Sequence, residues 1–282
     1  MEQPSVAIIG YGAVGRGISQ LFPHAVIYDE PLGIGAREDV NRCRYAFIAV
    51  PTPAYPDGSC NTSIVEEVVA WLQCPFLILR STVAVGTTAR LAQEYRKRIV
   101  FQPEYGPAET PDHPFNDLRK IRWVILGGER QDTIPVADLY KTTFNADIVI
   151  QQTDARTAEL VKYMENTFLA LKVTFCNELY DIARRLDVDY NELRELWLLD
   201  PRIGRSHTFV MPDSRGFGGK CLPKDISALV QTAAGLSYDA TLLRATIDAN
   251  RRIRDSSASE PVLASQSLHS APAIHALESP LD

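Results

Sequence analysis

Short apolar runs alternate with helical apolar patterns along the first half of the chain. The runs are three to six residues long, which suits buried strands, whereas the segments between them repeat apolar residues at helical spacing. This alternation predicts an α/β fold with a Rossmann-type, doubly wound parallel sheet. The predicted strands lie at residues 6–9, 25–28, 45–50, 76–79, 99–101 and 123–126.

The pattern changes after residue 153, where large apolar residues recur at spacings of three and four. Such spacing places them on one stripe of a long helix. We expect a nucleotide-binding domain over residues 1–152 and an α-helical domain over residues 153–254. Because one small domain cannot cover so long a stripe, we expect the helix to pair with its copy in a homodimer. The stripe consists of Leu160, Met164, Phe168, Leu171, Phe175, Leu179, Ile182 and Leu186.

Residues 255–282 differ from both domains. They contain seven serines and three prolines, but no aromatic residue and no lysine or arginine. A segment of this composition cannot bury enough apolar surface to fold alone, so we expect a disordered tail.

Composition narrows the classes of function. The net charge of −6 disfavours a nucleic-acid or membrane-surface partner, and no apolar stretch is long enough to span a bilayer. The five cysteines are scattered, without metal-ligand or redox-pair spacing. We therefore expect a cytoplasmic protein without a bound metal.

A glycine-rich turn at residues 10–15 joins the first predicted strand to a helix. Its glycines allow a tight turn and a close approach of pyrophosphate to the helix N-terminus. Asp29 follows the second predicted strand, 19 residues after Gly10, where an acid can accept hydrogen bonds from a ribose. Asp29 and the adjacent Glu30 would repel a 2′-phosphate, so we expect NAD rather than NADP as the cofactor.

A second glycine-rich segment, residues 216–225, carries Cys221 followed by Lys224 and Asp225. A nearby lysine and a helix start both favour the reactive thiolate. We interpret Cys221 as a nucleophile; the alternative is a structural cysteine in an ordinary loop. Lys162 and Asn166, one turn apart on the long helix, are candidates for a site or, equally, two surface polar groups.

Several motifs recur in the order found in a known family. These are residues 216–225, 200–204 with Arg202, the spacing from Lys162 to Asn166, and the strand ends at 51–53, 81–83 and 103–104. In this order they resemble the UDP-glucose and GDP-mannose dehydrogenase family, from residue 6 to about residue 254. The family oxidises C6 of a nucleotide sugar to a carboxylate with two NAD.

The resemblance implies a role for each matching residue. Cys221 would attack the aldehyde to form a thiohemiacetal, which is oxidised to a thioester. Lys162 and Asn166 would stabilise charge on oxygen, Asp225 and Thr82 would hold or activate water, and Glu104 would act as acid or base. The implied cofactor-binding residues are Gly10, Gly12, Ala13, Val14, Gly15, Asp29, Pro51, Thr52, Thr82 and Lys224. The implied substrate-binding residues are Glu104, Tyr105, Lys162, Asn166, Arg202 and Gly218.

The chain also departs from the family pattern. Ala108 stands where members usually have glutamate, and the segment between Asp29 and Tyr45 is short. The sequence ends where the family's third domain, which binds the nucleotide of the sugar donor, would begin. We therefore expect a truncated form with weakened activity on UDP-glucose or a close relative.

Two other functions remain open at this stage. A two-domain hydroxyacid dehydrogenase would have a similar helical second domain, but it needs no cysteine nucleophile. An NAD-binding dimeric regulator or scaffold would explain the missing third domain, but not the retained set of candidate catalytic residues.

Overall fold

The structure is a computed structural model that describes residues 5–105, 117–144 and 148–259. Within these ranges one sheet and the helices around it are followed by a group of helices. The strands are β1 (Val6–Ile9), β2 (Val26–Tyr28), β3 (Tyr45–Ile48), β4 (Phe76–Leu79), β5 (Ile99–Phe101), β6 (Trp123–Gly127) and β7 (Val149–Thr153).

Helices connect the strands and then continue without further strands in the described C-terminal part. They are α1 (Ala13–Leu21), α2 (Arg37–Val40), α3 (Ser63–Trp71), α4 (Thr87–Tyr95), α5 (Arg130–Phe144), α6 (Ala155–Arg185), α7 (Tyr190–Trp197), α8 (Leu222–Gly235) and α9 (Thr241–Ser259).

The seven strands form a single sheet in the order β2-β1-β3-β4-β5-β6-β7. The α/β fold is confirmed, but the sheet is mostly rather than entirely parallel. β6 pairs with β5 antiparallel, with Phe101 opposite Gly127. A parallel neighbour requires a crossover, usually a helix. The described residues between β5 and β6 hold only a short 3-10 turn, Leu118–Lys120.

Apolar side chains cover both faces of the sheet. Alternate residues of the central strands, such as Ile8 and Phe47, pack into a core with α1 and α5. Their neighbours, such as Ile9 and Ile48, pack into a second core with α3 and α4. Burial on both faces explains why these strands are continuous apolar runs rather than alternating patterns.

The long helix α6 joins the sheet to the helical group. Asp154 caps its start by accepting the backbone N–H of Thr157 at 3.0 Å, and Ala158 packs against Gly127 of β6. Further along, α6 contacts α8 and α9 around a small core that includes Ala170. The boundary that we predict at residue 152 falls one residue before the end of β7.

The apolar stripe of α6 is largely exposed on the single chain. Leu171 and Leu179 are half-buried, whereas the other six side chains of the stripe are between 44% and 71% exposed. Within the described residues, α7 contacts the stripe only near Phe175 and Leu179, where Phe175 packs against Trp197 with ring centroids 5.9 Å apart. Most of the stripe therefore stays exposed, as an interface would be on a single chain.

Helix α9 extends past residue 255, where the predicted tail begins. Residues 255–259 continue helix α9, because the buried Ile253 anchors its last turns. Residues 260–282, and Ala108 with its neighbours, lie outside the described residues. Among the described residues, no helix is long and apolar enough to cross a membrane.

Candidate active site

The glycine-rich turn after β1 has the shape that a bound dinucleotide requires. Gly10 adopts φ +91°, and a Cβ there would lie 2.6 Å from the carbonyl oxygen of Ala49. A Cβ on Gly15 would lie 2.0 Å from the carbonyl oxygen of Gly10, whereas one on Gly12 would meet nothing within 4 Å. Gly12 therefore faces open space at the start of α1, where Ala13 and Val14 begin the helix and pyrophosphate can approach the amides.

Asp29 lies beside this turn at the end of β2. Its oxygens accept the backbone N–H groups of Tyr11 at 2.7 Å and Leu32 at 3.0 Å. A carboxylate offers about four acceptor sites, so about two remain for ribose hydroxyls. Glu30 forms an ion pair with Arg37 at 3.2 Å. We therefore expect discrimination against a 2′-phosphate to rest mainly on Asp29.

The ends of β3 and β4 are tied together on the same edge of the sheet. Thr52 Oγ1 donates to the carbonyl oxygen of Thr82 at 2.7 Å, and Ser81 Oγ donates to that of Val50 at 2.6 Å. Pro51 precedes Thr52 in the first of these segments. The structure thus brings these predicted cofactor residues together with the glycine-rich turn at the carboxyl ends of neighbouring strands, where ligands of such sheets bind.

Glu159 is a site-supporting residue that the sequence analysis missed. It is fully buried on α6 and accepts the N–H groups of Gly86 at 2.5 Å and Thr88 at 2.8 Å. Burial raises the pKa of its carboxyl, against the effect of these hydrogen bonds. The contact fixes the loop after Thr82 onto α6. An acid on a largely buried helix face, three residues before Lys162, was the available signal.

Lys162 and Asn166 form a buried hydrogen-bonded chain with residues of α8. Lys162 Nζ donates to Asn166 Oδ1 at 3.1 Å, and Asn166 Nδ2 donates to Asp225 Oδ2 at 2.5 Å. Lys224 Nζ donates to the other Asp225 oxygen at 2.7 Å. Lys162, Asn166 and Asp225 are each less than 9% exposed. Their burial rules out the alternative of two surface polar groups on α6.

Two asparagines hold the glycine-rich loop before Cys221. Asn177 Oδ1 accepts the N–H of Gly216 at 3.1 Å, and Asn250 Oδ1 accepts that of Phe217 at 2.7 Å. Gly216 has φ +73°, and a Cβ there would lie 2.4 Å from Asn250 Oδ1. Since the asparagine approaches so closely, no larger residue fits at this position.

Arg254 is a second residue that the sequence analysis missed. Its guanidinium lies so close to Gly218 that a Cβ there would be 2.7 Å from Nη1. It therefore adds a positive charge beside the loop. Arg254 and Asn250 sit on α9, more than 30 residues beyond the loop in sequence, and no local motif marks them.

Cys221 is the N-cap residue of α8 and is exposed. Its carbonyl oxygen accepts the N–H of Asp225 at 2.9 Å, so the thiol sits one turn before the buried carboxylate. Of the five cysteines it is the exposed one. A buried structural cysteine is therefore excluded, and the thiol is open to a substrate.

The loop after β5 brings two further predicted residues to α6. Glu104 forms a buried ion pair with Arg80 of the β4 end. Lys162 Nζ lies 5.5 Å from the ring centroid of Tyr105, which in turn packs against Trp123 with ring centroids 6.0 Å apart. Burial raises the pKa of Tyr105 well above its ordinary value, so its phenol stays neutral.

Arg202 is a predicted site residue whose contacts do not connect it to the other candidate site residues. Its side chain is 86% exposed and pairs with Asp200. Lys172 Nζ fixes the loop by donating to the carbonyl oxygens of Ile203 at 2.9 Å and Gly204 at 2.7 Å. The role of Arg202 in substrate binding stays a prediction.

The fold and the glycine-rich turn define a dinucleotide-binding protein of the Rossmann class. Family models agree: the NAD-binding domain of the UDP-glucose/GDP-mannose dehydrogenase family matches residues 32–144, and its central domain matches residues 156–252. The chain belongs to this family, and its cofactor is NAD.

Individual relatives give the same result. The chain is 31% identical over 226 residues to UDP-glucose 6-dehydrogenase of Pseudomonas aeruginosa, a match covering 74% of this chain and 49% of that protein. A UDP-glucose dehydrogenase structure from Pyrobaculum islandicum matches with TM-score 0.76 and 27% identity, covering 89% of this chain and 68% of that one. The chain spans about half the length of the curated relatives it matches.

The fold is shared more widely than the family. Mycobacterium tuberculosis 3-hydroxyisobutyrate dehydrogenase matches with TM-score 0.65 and 15% identity, covering 89% of this chain and 93% of that one. At this identity the likeness concerns the fold alone. The match therefore supports the alternative of a hydroxyacid dehydrogenase only through the shared fold.

Cofactor preference provides the first testable prediction. We expect the chain to bind NAD at least ~10-fold more tightly than NADP, because the Asp29 carboxylate would repel a 2′-phosphate. Asp29→Asn should narrow this difference in affinity, because it removes the negative charge that would repel the phosphate. Fluorescence titration measures the dissociation constants of NAD and NADP. The variant Asp39→Asn, which changes an exposed acid, is the control. Equal affinities in the unaltered chain would contradict the assignment of Asp29.

Proposed function

We propose that the chain oxidises a nucleotide sugar, UDP-glucose or a close relative, at C6 to the uronic acid through a covalent intermediate on Cys221. The observation that supports this most is the buried chain of Lys162, Asn166 and Asp225 one helical turn from the exposed thiol. A fixed cation, an amide and a carboxylate beside a thiol suit a reaction in which charge develops on oxygen and water must attack.

Each residue has a distinct task in the proposed reaction. Residues 10–15, Asp29, Pro51, Thr52, Thr82 and Lys224 would hold NAD, which would supply the hydride acceptor that each of the two oxidations needs. Cys221 adds through sulfur to the C6 aldehyde, and the oxygen of the resulting thiohemiacetal lies against Lys162 and Asn166. After the second oxidation, water held by Asp225 and Thr82 attacks the thioester, with Glu104 accepting its proton. The C–S bond breaks, which releases the carboxylate and restores the thiol.

Substrate binding is proposed for the residues around this centre. Tyr105 and Gly218 would line it together with Glu104, Lys162 and Asn166, and Arg202 is the remaining candidate. Lys162 lies over the ring of Tyr105, so a ligand beside Lys162 would also meet the aromatic ring. An apolar wall with a few placed polar groups is typical of small-molecule sites.

A panel of nucleotide sugars tests the proposed function. The purified chain with NAD is incubated separately with UDP-glucose, UDP-N-acetylmannosamine and GDP-mannose, and NADH absorbance is followed. We expect two NADH for each sugar consumed, because an alcohol loses four electrons on the way to an acid. One NADH for each sugar would indicate that oxidation stops at the aldehyde. No reduction of NAD with any sugar would overturn the proposal in favour of a binding role.

We also propose that two copies pair through the apolar stripe of α6. Phe168→Glu and Met164→Glu, each as a single variant, should convert a dimer into a 31.4 kDa monomer. Each would bury a charge at the centre of the stripe. Light scattering at micromolar concentration measures the mass. Leu32→Glu, a similarly exposed apolar position beside β2, is the control and should leave the dimer intact. A monomeric unaltered chain would contradict the proposal.

A reducing compartment, the cytoplasm, suits this mechanism. All five cysteines are thiols rather than disulfides in the structure, and Cys221 must remain a thiol to act. The net charge of −6 also fits a small-molecule substrate better than nucleic acid or an anionic membrane surface.

A further inference from the structure

One carboxylate beside the candidate site has no task in the proposed reaction. Glu165 lies on the turn of α6 that carries Lys162 and Asn166. At about 100° per residue, Glu165 projects about 60° to one side of Lys162 and Asn166 about 40° to the other. The three side chains therefore share one face of the helix, with the lysine between the carboxylate and the amide.

The Glu165 carboxylate is under-satisfied. Its Oε2 atom is buried and forms no hydrogen bond within the described part of the chain. The neighbouring Lys162 Nζ donates to Asn166 rather than to Glu165. Burial raises the pKa of the Glu165 carboxyl, and the positive charge of Lys162 opposes this rise only in part. A buried acceptor without a donor is unfavourable, so a site that retains one is suited to receive a donor from its ligand.

The surroundings of Glu165 match a sugar better than an apolar ligand. The rings of Tyr105 and Trp123 form a wall next to Lys162. Burial, and then the negative charge of Glu165, raise the pKa of Tyr105, so the phenol stays neutral beside this wall. An aromatic wall beside an unpaired acceptor and a cation offers both an apolar face and polar partners to a hydroxylated ring.

We propose that Glu165 accepts a hydrogen bond from a hydroxyl group of the sugar, and is thus a substrate-binding residue of this site. The inference rests on the proposed function, because it assumes a nucleotide sugar next to Lys162. A hydroxyl bound to a carboxylate forms a charge-assisted hydrogen bond. Since this contact exists in the ground state and in the transition state alike, it contributes to affinity more than to rate.

Binding measured without turnover tests the proposal. In a Cys221→Ser background, UDP-glucose is titrated calorimetrically into the chain with Glu165 intact, with Glu165→Gln and with Glu165→Leu. We expect the dissociation constant to rise ~10-fold with glutamine and further with leucine, because a charge-assisted hydrogen bond is weakened and then lost. UDP, which lacks the sugar, should bind all three equally. Glu192→Gln, an exposed acid on α7, is the matched control.

The outcomes separate this proposal from the proposed function. Equal UDP-glucose affinity in all variants would overturn it, and so would an equal loss of UDP affinity, which would indicate a structural role. The near-isosteric glutamine variant guards against misfolding, which thermal unfolding checks. If the unaltered chain oxidises no sugar but UDP-glucose binding still depends on Glu165, the proposed function fails and the role of Glu165 stands. Absence of binding by UDP-glucose, UDP-N-acetylmannosamine and GDP-mannose alike would overturn both.

Discussion

Replacing Cys221 by serine should abolish release of the uronic acid while leaving NAD binding intact. The thiol is exposed at the start of α8, whereas the predicted cofactor-binding residues other than Lys224 lie at the ends of β1 to β4. A hydroxyl is a far poorer nucleophile than a thiol near neutral pH, so we expect a loss of at least ~10³-fold in acid formation. Stopped reactions analysed for acid and NADH measure this, together with an NAD titration.

A second cysteine offers a matched control for this change. Cys43 is buried under α2, and its thiol approaches the carbonyl oxygen of Asp39 at 3.7 Å, so a serine there can donate in the same direction. Cys43→Ser should retain full activity. Alkylation provides an independent check, because iodoacetamide should modify the exposed Cys221 before the other four thiols. Acid release by Cys221→Ser at the unaltered rate would contradict the covalent mechanism.

Parts of the fold with local sequence signals could be predicted. The runs that became β1, β3 and β4 are buried on both faces, so composition alone marked them. The polar sequence of β7, with Gln151 and Gln152, resembles no buried strand, and it was missed. The antiparallel direction of β6 could not be predicted either, because it depends on the connection from β5 and not on the residues of β6.

The candidate site also contains residues that local motifs mark and residues that they do not. Gly10 and Cys221 could be proposed because the spacing of their motifs carries chemistry, whereas spacing left Lys162 open and its role came from the family resemblance. Glu159 and Asn250 were missed because each acts through a partner distant in sequence: Glu159 holds the start of α4, and Asn250 holds Phe217. Such contacts exist only after the helices have packed, and no local pattern encodes them.

Replacing Lys162 by methionine should lower kcat by ~10²–10³-fold while changing KM much less. The ammonium group is buried and held by Asn166 at 3.1 Å, so in the proposed reaction it would be pre-positioned for the charge that develops on the C6 oxygen. Loss of one such fixed donor typically costs this factor, and it acts on the transition state. Methionine keeps the apolar length of the side chain, so packing over Tyr105 should survive.

The stability of the Lys162→Met variant separates chemistry from folding. Asn166 Oδ1 loses its donor, which should destabilise the chain by about 1–3 kcal/mol, visible in thermal unfolding. Lys141→Met, an exposed lysine paired with Asp138 at 3.0 Å on α5, is the control and should change neither kcat nor unfolding appreciably. If Lys162→Met raised KM and left kcat unchanged, the lysine would bind the ground state. Its assignment to the developing oxygen charge would then be wrong, because a group that acts only on the transition state lowers kcat.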